Sequence, residues 1–273
     1  MRRQFQVNGY YILACESCAH QSAELTSVAG HVASVYTDTY FFGGGAGYTD
    51  YLAESELLIN HGRRYAKLLS RYTKPGLMLD VGAAAGFLLK GFVDGGWKGV
   101  GIEPNARMAG HARTELGLSV DVASLETLET DKRFDLITMI QVIGHFVDVR
   151  QAFELASKHL APSGVLLVES WDRESWTTRL FGKRWHEYSP PSVLHWFSRD
   201  GLQQLGLRCN LHVIASGRPT KWLHGAHARS LLNHKLEASW LGRPLTFLTR
   251  LIPSRMPIPY PSEDLLWILF QKD

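Results

Sequence analysis

Cysteine is scarce in this chain. Three cysteines in 273 residues, Cys15, Cys18 and Cys209, cannot build a disulfide framework, which leads us to expect a reducing, cytoplasmic setting. Long hydrophobic runs are missing too: the longest near either end is the six-residue stretch 265–270, far short of a membrane span. The opening Met1-Arg2-Arg3-Gln4-Phe5-Gln6-Val7-Asn8 is basic but has no hydrophobic signal core. There is no internal repeat and no low-complexity tract, and 45% apolar with 20% charged residues excludes collagen, coiled coil and a wholly disordered chain. Acid is nearly missing from residues 218–255, where seven Lys/Arg face the single Glu237, a local +6 that leaves −3 for the rest of a chain of net charge +3. That overall charge is too mild to imply a nucleic-acid partner by itself.

What is present reads as one large α/β domain, with an N-terminal segment over 1–64 and the main domain over 65–273, interrupted by insertions at 171–197 and 217–262. The first fifty residues are mixed and end in the aromatic, glycine-rich Tyr40-Phe41-Phe42-Gly43-Gly44-Gly45-Ala46-Gly47-Tyr48, a candidate lid. Leu57, Leu58, His61, Tyr65, Leu68 and Leu69 then fall on one helical face. From Leu77 strand and helix alternate: strands at 77–81, 98–102, 120–122, 134–139 and 165–169, and helices at 87–93, 105–116 and 148–160, the last capped by Asp148 with Gln151 in capping-box position. After the aromatic insertion, a short helix over 198–205 and strands over 207–215 and 265–271 are expected. This rhythm implies a doubly wound, mostly parallel sheet with a ligand site at the strand C-termini.

The turn after the first of these strands is Asp80-Val81-Gly82-Ala83-Ala84-Ala85-Gly86. A dinucleotide fingerprint starting at Gly82 would need glycine at 84 and 87, where Ala84 and Phe87 stand, and no Gly-Lys-Ser/Thr follows for a P-loop. The turn resembles instead the first motif of class I S-adenosylmethionine-dependent methyltransferases. Glu103 in Gly101-Ile102-Glu103-Pro104-Asn105, Phe134-Asp135-Leu136-Ile137, and Leu160-Ala161-Pro162-Ser163-Gly164 match that family's later landmarks in order. The resemblance implies a Rossmann-like seven-stranded sheet with helices on both faces, and S-adenosylmethionine as cofactor. It places Gly82, Ala84 and Gly86 at the cofactor's amino-acid end, with Asp80 orienting its ammonium through water. Glu103, followed by Pro104, would hold the ribose, and Ser124, Leu125 and Gln141 would line adenine and sulfur.

A narrower resemblance, to a bacterial branch of small-molecule and sugar methyltransferases, rests on Cys15-Glu16-Ser17-Cys18, Tyr40-Phe41, Tyr48, Phe181-Gly182-Lys183-Arg184-Trp185 and Pro190-Pro191 before Phe197-Ser198. Members often carry a zinc ribbon with two Cys pairs. Only one pair stands here, with His20 and His31 as the sole local completions, so two reduced thiols are expected and no metal. His145, His186 and His195 are the candidate bases, since a hydroxyl or carbon acceptor must lose a proton. His145 follows the fourth strand, with Gly144 where relatives carry Glu. His186 and His195 lie in the aromatic insertion, and Val193 stands where related sugar C-methyltransferases have His. Trp171, Trp176, Trp185 and Trp196 are candidates to stack on an acceptor, with internal packing the more ordinary role. Ile140-Gln141-Val142-Ile143 lacks the Asp/Asn-Pro-Pro-aromatic motif of exocyclic-amine methylation. We therefore expect methylation of a small molecule (a sugar, glycolipid precursor or secondary metabolite), at oxygen rather than carbon, with nucleic acid not favoured. The basic 218–255 stretch is read as a solvated face, with an anionic acceptor such as a nucleotide-linked or lipid-linked sugar, or peripheral membrane contact, as its other readings. A nucleic-acid methyltransferase and a non-catalytic binding module are the alternative functions.

Overall fold

In the computed structural model, residues 1–25, 27, 30–42, 50–225, 229, 249, 253, 256–260 and 262–273 are described. Residues 43–49 of the candidate lid and most of the basic 218–255 stretch lie outside them. The chain divides into two compact units, Met1–Pro219 with Glu263–Asp273, and Thr220–Ser262.

The first unit opens with β1 (Arg2–Val7), β2 (Tyr10–Ala14) and β3 (Gln21–Ala23), followed by two short helices, α1 (His31–Val35) and α2 (Asp38–Phe42). Helix α3 (Ser55–Leu69) runs across residue 64 and leads into β4 (Leu77–Val81). The alternation then reads α4 (Phe87–Asp94), β5 (Lys98–Ile102), α5 (Ala106–Leu116), β6 (Ser119–Asp121), β7 (Phe134–Ile140), α6 (Val149–His159) and β8 (Leu160–Trp171). The insertion supplies α7 (Trp176–Phe181) and the two-residue β9 (His195–Trp196). It is followed by α8 (Arg199–Arg208) and β10 (Leu211–Gly217). In the second unit β11 (Lys221–His224) pairs antiparallel with β12 (Pro257–Tyr260). β13 (Leu265–Lys272) returns to the first unit.

The main sheet has the order β10-β13-β8-β7-β4-β5-β6, and only β13 runs against its neighbours. Its strands are continuous apolar runs because both faces are covered. Successive side chains alternate between two cores: Leu79, Val81, Ile137, Met139, Leu166 and Val168 enter one, and Met78, Leu136, Val165 and Leu167 the other. Caps match the sequence at Asn105, Asp148 and Ser198, whose side chains accept from the backbone N–H of Met108, Gln151 and Gly201. The largest departures from the expected boundaries are two. β8 begins at Leu160 rather than 165, and residues 207–210 are not strand: α8 runs on to Arg208, and Asn210 turns the chain with φ 57°.

A second sheet, β1-β2-β3-β9, joins the N-terminus to the insertion, through Gln21↔Trp196 and Ser22↔His195. Ile12, Trp185, Tyr188, Val193 and Trp196 form its buried core.

Candidate active site

The five parallel strands from β8 to β6 end on one edge, and the β4–α4 turn sits there. Gly82 has φ 71°, and a Cβ on it would stand 2.7 Å from Cγ2 of Val142, so the turn needs glycine both for its backbone and for the approach of the chain after β7. Ala84 adopts φ 47° and Gly86 φ 81°, left-handed conformations that shape the turn before α4. Glu103, at the end of β5, is buried and accepts from the N–H of Ala84 (2.9 Å) and of Asn105 (2.8 Å). Each carboxylate oxygen keeps a further acceptor site, which suits a diol. Burial raises its pKa against those two bonds.

Asp80 is the unusual group. Its Oδ1 accepts from the Thr138 hydroxyl at 2.6 Å, while Oδ2 is buried with no hydrogen-bond partner. Burial pushes its pKa up to about 7, opposed by the Thr138 bond and reinforced by Glu103. A buried carboxylate oxygen without a donor is costly unless a cationic group completes it. Ser124 caps a 3-10 turn at residues 125–127 in a capping box, Leu125 is buried in the core, and Pro104 is exposed beside Glu103.

Gln141 turns the chain beyond β7 with φ 56°. Its backbone N–H donates to the Glu169 carbonyl (2.9 Å) and its side-chain Nε2 to Glu169 Oε1 (2.8 Å). Glu169 is fully buried, and its Oε2 accepts from the Tyr65 hydroxyl and from His61 Nε2 at 3.0 Å. Arg64 Nη2 lies 3.3 Å from His61 Nδ1, and a guanidinium only donates, so the imidazole proton sits on Nε2. This network clamps α3 to the strand ends. Its signal was an acid closing an apolar strand, with His61 and Tyr65 four apart on an otherwise apolar helical face.

Beyond Gln141, His145 Nδ1 lies 2.6 Å from the Ser192 carbonyl, which also accepts from the Tyr36 hydroxyl at 2.5 Å. A carbonyl only accepts, so Nδ1 carries the proton and the lone pair of the neutral ring is on Nε2. Burial lowers the His145 pKa, and His31 adds to this against the Ser192 and Gln141 carbonyls and Glu187. Tyr36 and Tyr40 stand edge-on to the imidazole, with ring centroids 5.4 and 6.5 Å away. Burial first, then the charge of Glu103, raises the Tyr36 pKa. Asn105 joins the two parts: its N–H meets Glu103, and its Nδ2 donates to the Tyr36 carbonyl (3.1 Å) and to Asp38 (3.2 Å).

The other two candidate histidines are not brought to this place. His195 Nδ1 pairs with His20 Nε2 at 3.1 Å under the second sheet, and burial lowers these pKa values to about 4 and about 3. His186 is exposed and 3.0 Å from Glu187. Trp185 and Trp196 are core, whereas Trp176 faces solvent. Cys15 and Cys18 are partly exposed thiols, and among the described residues no group of three His, Cys, Asp or Glu converges as a metal site. Residues 144 and 193, the two departures, are neighbours in the fold. A Cβ on Gly144 would meet the His195 carbonyl at 3.1 Å and Val193 Cγ1 at 3.5 Å, while Leu194 N–H donates to the Gly144 carbonyl at 2.8 Å.

Comparison with known proteins agrees with this geometry. A ubiquinone biosynthesis O-methyltransferase of Bradyrhizobium sp. is 30% identical over 127 residues, 45% of this chain and 48% of that protein, so the match spans about half the length of such curated relatives. A possible histamine N-methyltransferase from Thermotoga maritima superposes with a TM-score of 0.53 at 20% identity, over 82% of this chain and 93% of that one. The 1,6-didemethyltoxoflavin-N1-methyltransferase of Burkholderia thailandensis does so at 0.56 and 13% identity, over 100% and 99%. These two show the shared fold. The family profile described as a methyltransferase domain matches residues 57–216, more than half of the chain. The turn, the acid after β5 and this match together establish that the chain belongs to the class I S-adenosylmethionine-dependent methyltransferases.

Proposed function

We propose that the chain methylates a hydroxyl oxygen of a small molecule, a sugar or secondary metabolite, and that His145 is the base. The observation that carries this reading is the tautomer of His145, a half-buried imidazole with its lone pair on Nε2 beside a pair of tyrosine rings. When bound, S-adenosylmethionine supplies an electrophilic methyl group on a sulfonium. The residues present fit such a group: the buried Asp80 Oδ2 calls for a cation such as its ammonium, and Glu103 has acceptor sites left for ribose hydroxyls. Gly82, Ala84 and Gly86 would lie against the amino-acid end, while Pro104, Ser124 and Leu125 would border the adenine and Gln141 the sulfur.

His145 Nε2 would take the acceptor's proton as its oxygen attacks, and the Ser192 carbonyl would stabilise the imidazolium through Nδ1. Tyr36 and Tyr40 would form an apolar wall against a flat or sugar ring. The O-methyltransferase names of the sequence relatives support oxygen as the atom. The test is product analysis with a labelled methyl donor and panels of phenols and nucleotide sugars, read by NMR. An O-methyl product, lost in His145→Gln, supports the reading. Methylation only at nitrogen or carbon, or full activity in the variant, overturns it.

A further inference from the structure

Helix α7 is built inside out. Its inward residues are small and polar: Ser175 and Thr178 are buried, their hydroxyls 2.7 Å apart, with the Thr178 N–H on Ser175 Oγ at 3.0 Å. Its outward residues are large and apolar, with Trp176 60% and Leu180 68% exposed. These two are four apart and share one face. Soluble helices show the opposite pattern.

The helix is not a loose end. Glu263 accepts from the N–H groups of Trp176 (2.8 Å) and Thr177 (3.1 Å) and from the Thr177 hydroxyl (2.9 Å), fixing it to the start of β13. Around the apolar face stand Arg179, Lys183 and Arg184, all exposed, with no acid between residues 175 and 185 and no ion pair to any of the three among the described residues. An apolar centre rimmed by unpaired cations complements an apolar layer under anionic headgroups.

We propose that α7 and the turn after it seat this protein on an anionic lipid bilayer, with Trp176 and Leu180 entering the headgroup boundary and Arg179, Lys183 and Arg184 facing lipid phosphates. The helix begins five residues beyond β8, so this surface lies at the strand edge that carries the active site. The proposal stands apart from the choice of acceptor and from His145.

The full chain is tested by flotation with phosphatidylcholine vesicles, with and without about a third phosphatidylglycerol. It should float with the anionic vesicles at least tenfold more than with the neutral ones, and sink again at about 0.5 M salt. Trp176→Ser with Leu180→Ser, and separately Lys183→Glu with Arg184→Glu, should each reduce flotation at least tenfold, with thermal midpoint and S-adenosylhomocysteine affinity unchanged. Failure of the native chain to float overturns the proposal. So does undiminished flotation of the apolar double variant, or a native dimer that this variant converts to monomer, which would make a second copy the occupant.

Discussion

The cofactor side and the acceptor side of this site are built in opposite ways. On the cofactor side Asp80, Gly82, Ala84, Gly86 and Glu103 lie within 24 residues, and each is set by the backbone of its own turn or its neighbouring strand. On the other side, contacts distant in sequence join the N-terminal segment to the insertion. Tyr36 meets Ser192, His20 meets His195, the Tyr188 hydroxyl donates to Gln21, Ser198 to the Cys18 carbonyl, and Arg173 to the Ala19 carbonyl. On the proposed reading, local geometry would hold the cofactor, while distant pairing of the N-terminus with the insertion would shape the acceptor side, which could change with little cost to the turn.

That contrast breaks if a change on one side moves the other. The largest expected effect is His145→Gln, which should lower kcat by about 10²–10⁴-fold with S-adenosylhomocysteine affinity within about twofold of native, measured by steady-state kinetics and calorimetry. A collapse of affinity would show the two sides to be one unit. Next, Glu103→Ala or Asp80→Asn should weaken S-adenosylhomocysteine binding at least tenfold, about 1.4 kcal/mol.

For Asp80 the pH dependence has a sign. A ligand ammonium needs the carboxylate, whose free pKa is pushed up to about 7, so native affinity should fall as pH drops through that value, with proton release on binding below it. Asp80→Asn should remove this dependence, and a flat native profile would refute it.

The acceptor side sharpens the contrast through stability. His20 and His195 are depressed to about 3 and about 4, so between these values and the ordinary imidazole pKa near 6.5 the unfolded chain binds more protons. Their contribution is therefore present above pH 6.5 and lost as pH falls toward 4. The thermal midpoint should decline over that range, and less steeply in His195→Asn. The smallest effect is Gly144→Ala, whose Cβ would crowd the His195 carbonyl. It should cost about 1 kcal/mol in denaturant titrations and leave cofactor affinity unchanged.

The same contrast explains what could be read in advance. Strand, turn and acid announce themselves at 77–86 and 98–104, since tight turns and short buried strands are dictated by neighbours in sequence. The end of α8 and the start of β10 differ from the sequence expectation because Leu207 continues an apolar pattern, while Asn210, adopting a left-handed turn, breaks it. His195 looked equivalent to His145 in composition, and only pairing with Ser22 shows that it faces His20. The pairing of the Glu169 network is invisible in the sequence because its partners stand 28 to 108 residues from Glu169.

The sequence by itself determined the parallel sheet, the glycine turn, its acidic partner and the cofactor class, because these depend on φ, on hydrophobic period and on spacing along a few residues. Tertiary structure alone decided which of three histidines meets the strand edge and which nitrogen carries its proton. It also decided that Asp80 keeps an unpaired oxygen, and that α7 turns its tryptophan outward. Each of these is a matter of burial and of hydrogen-bond partners supplied from elsewhere in the chain, and no local pattern records them.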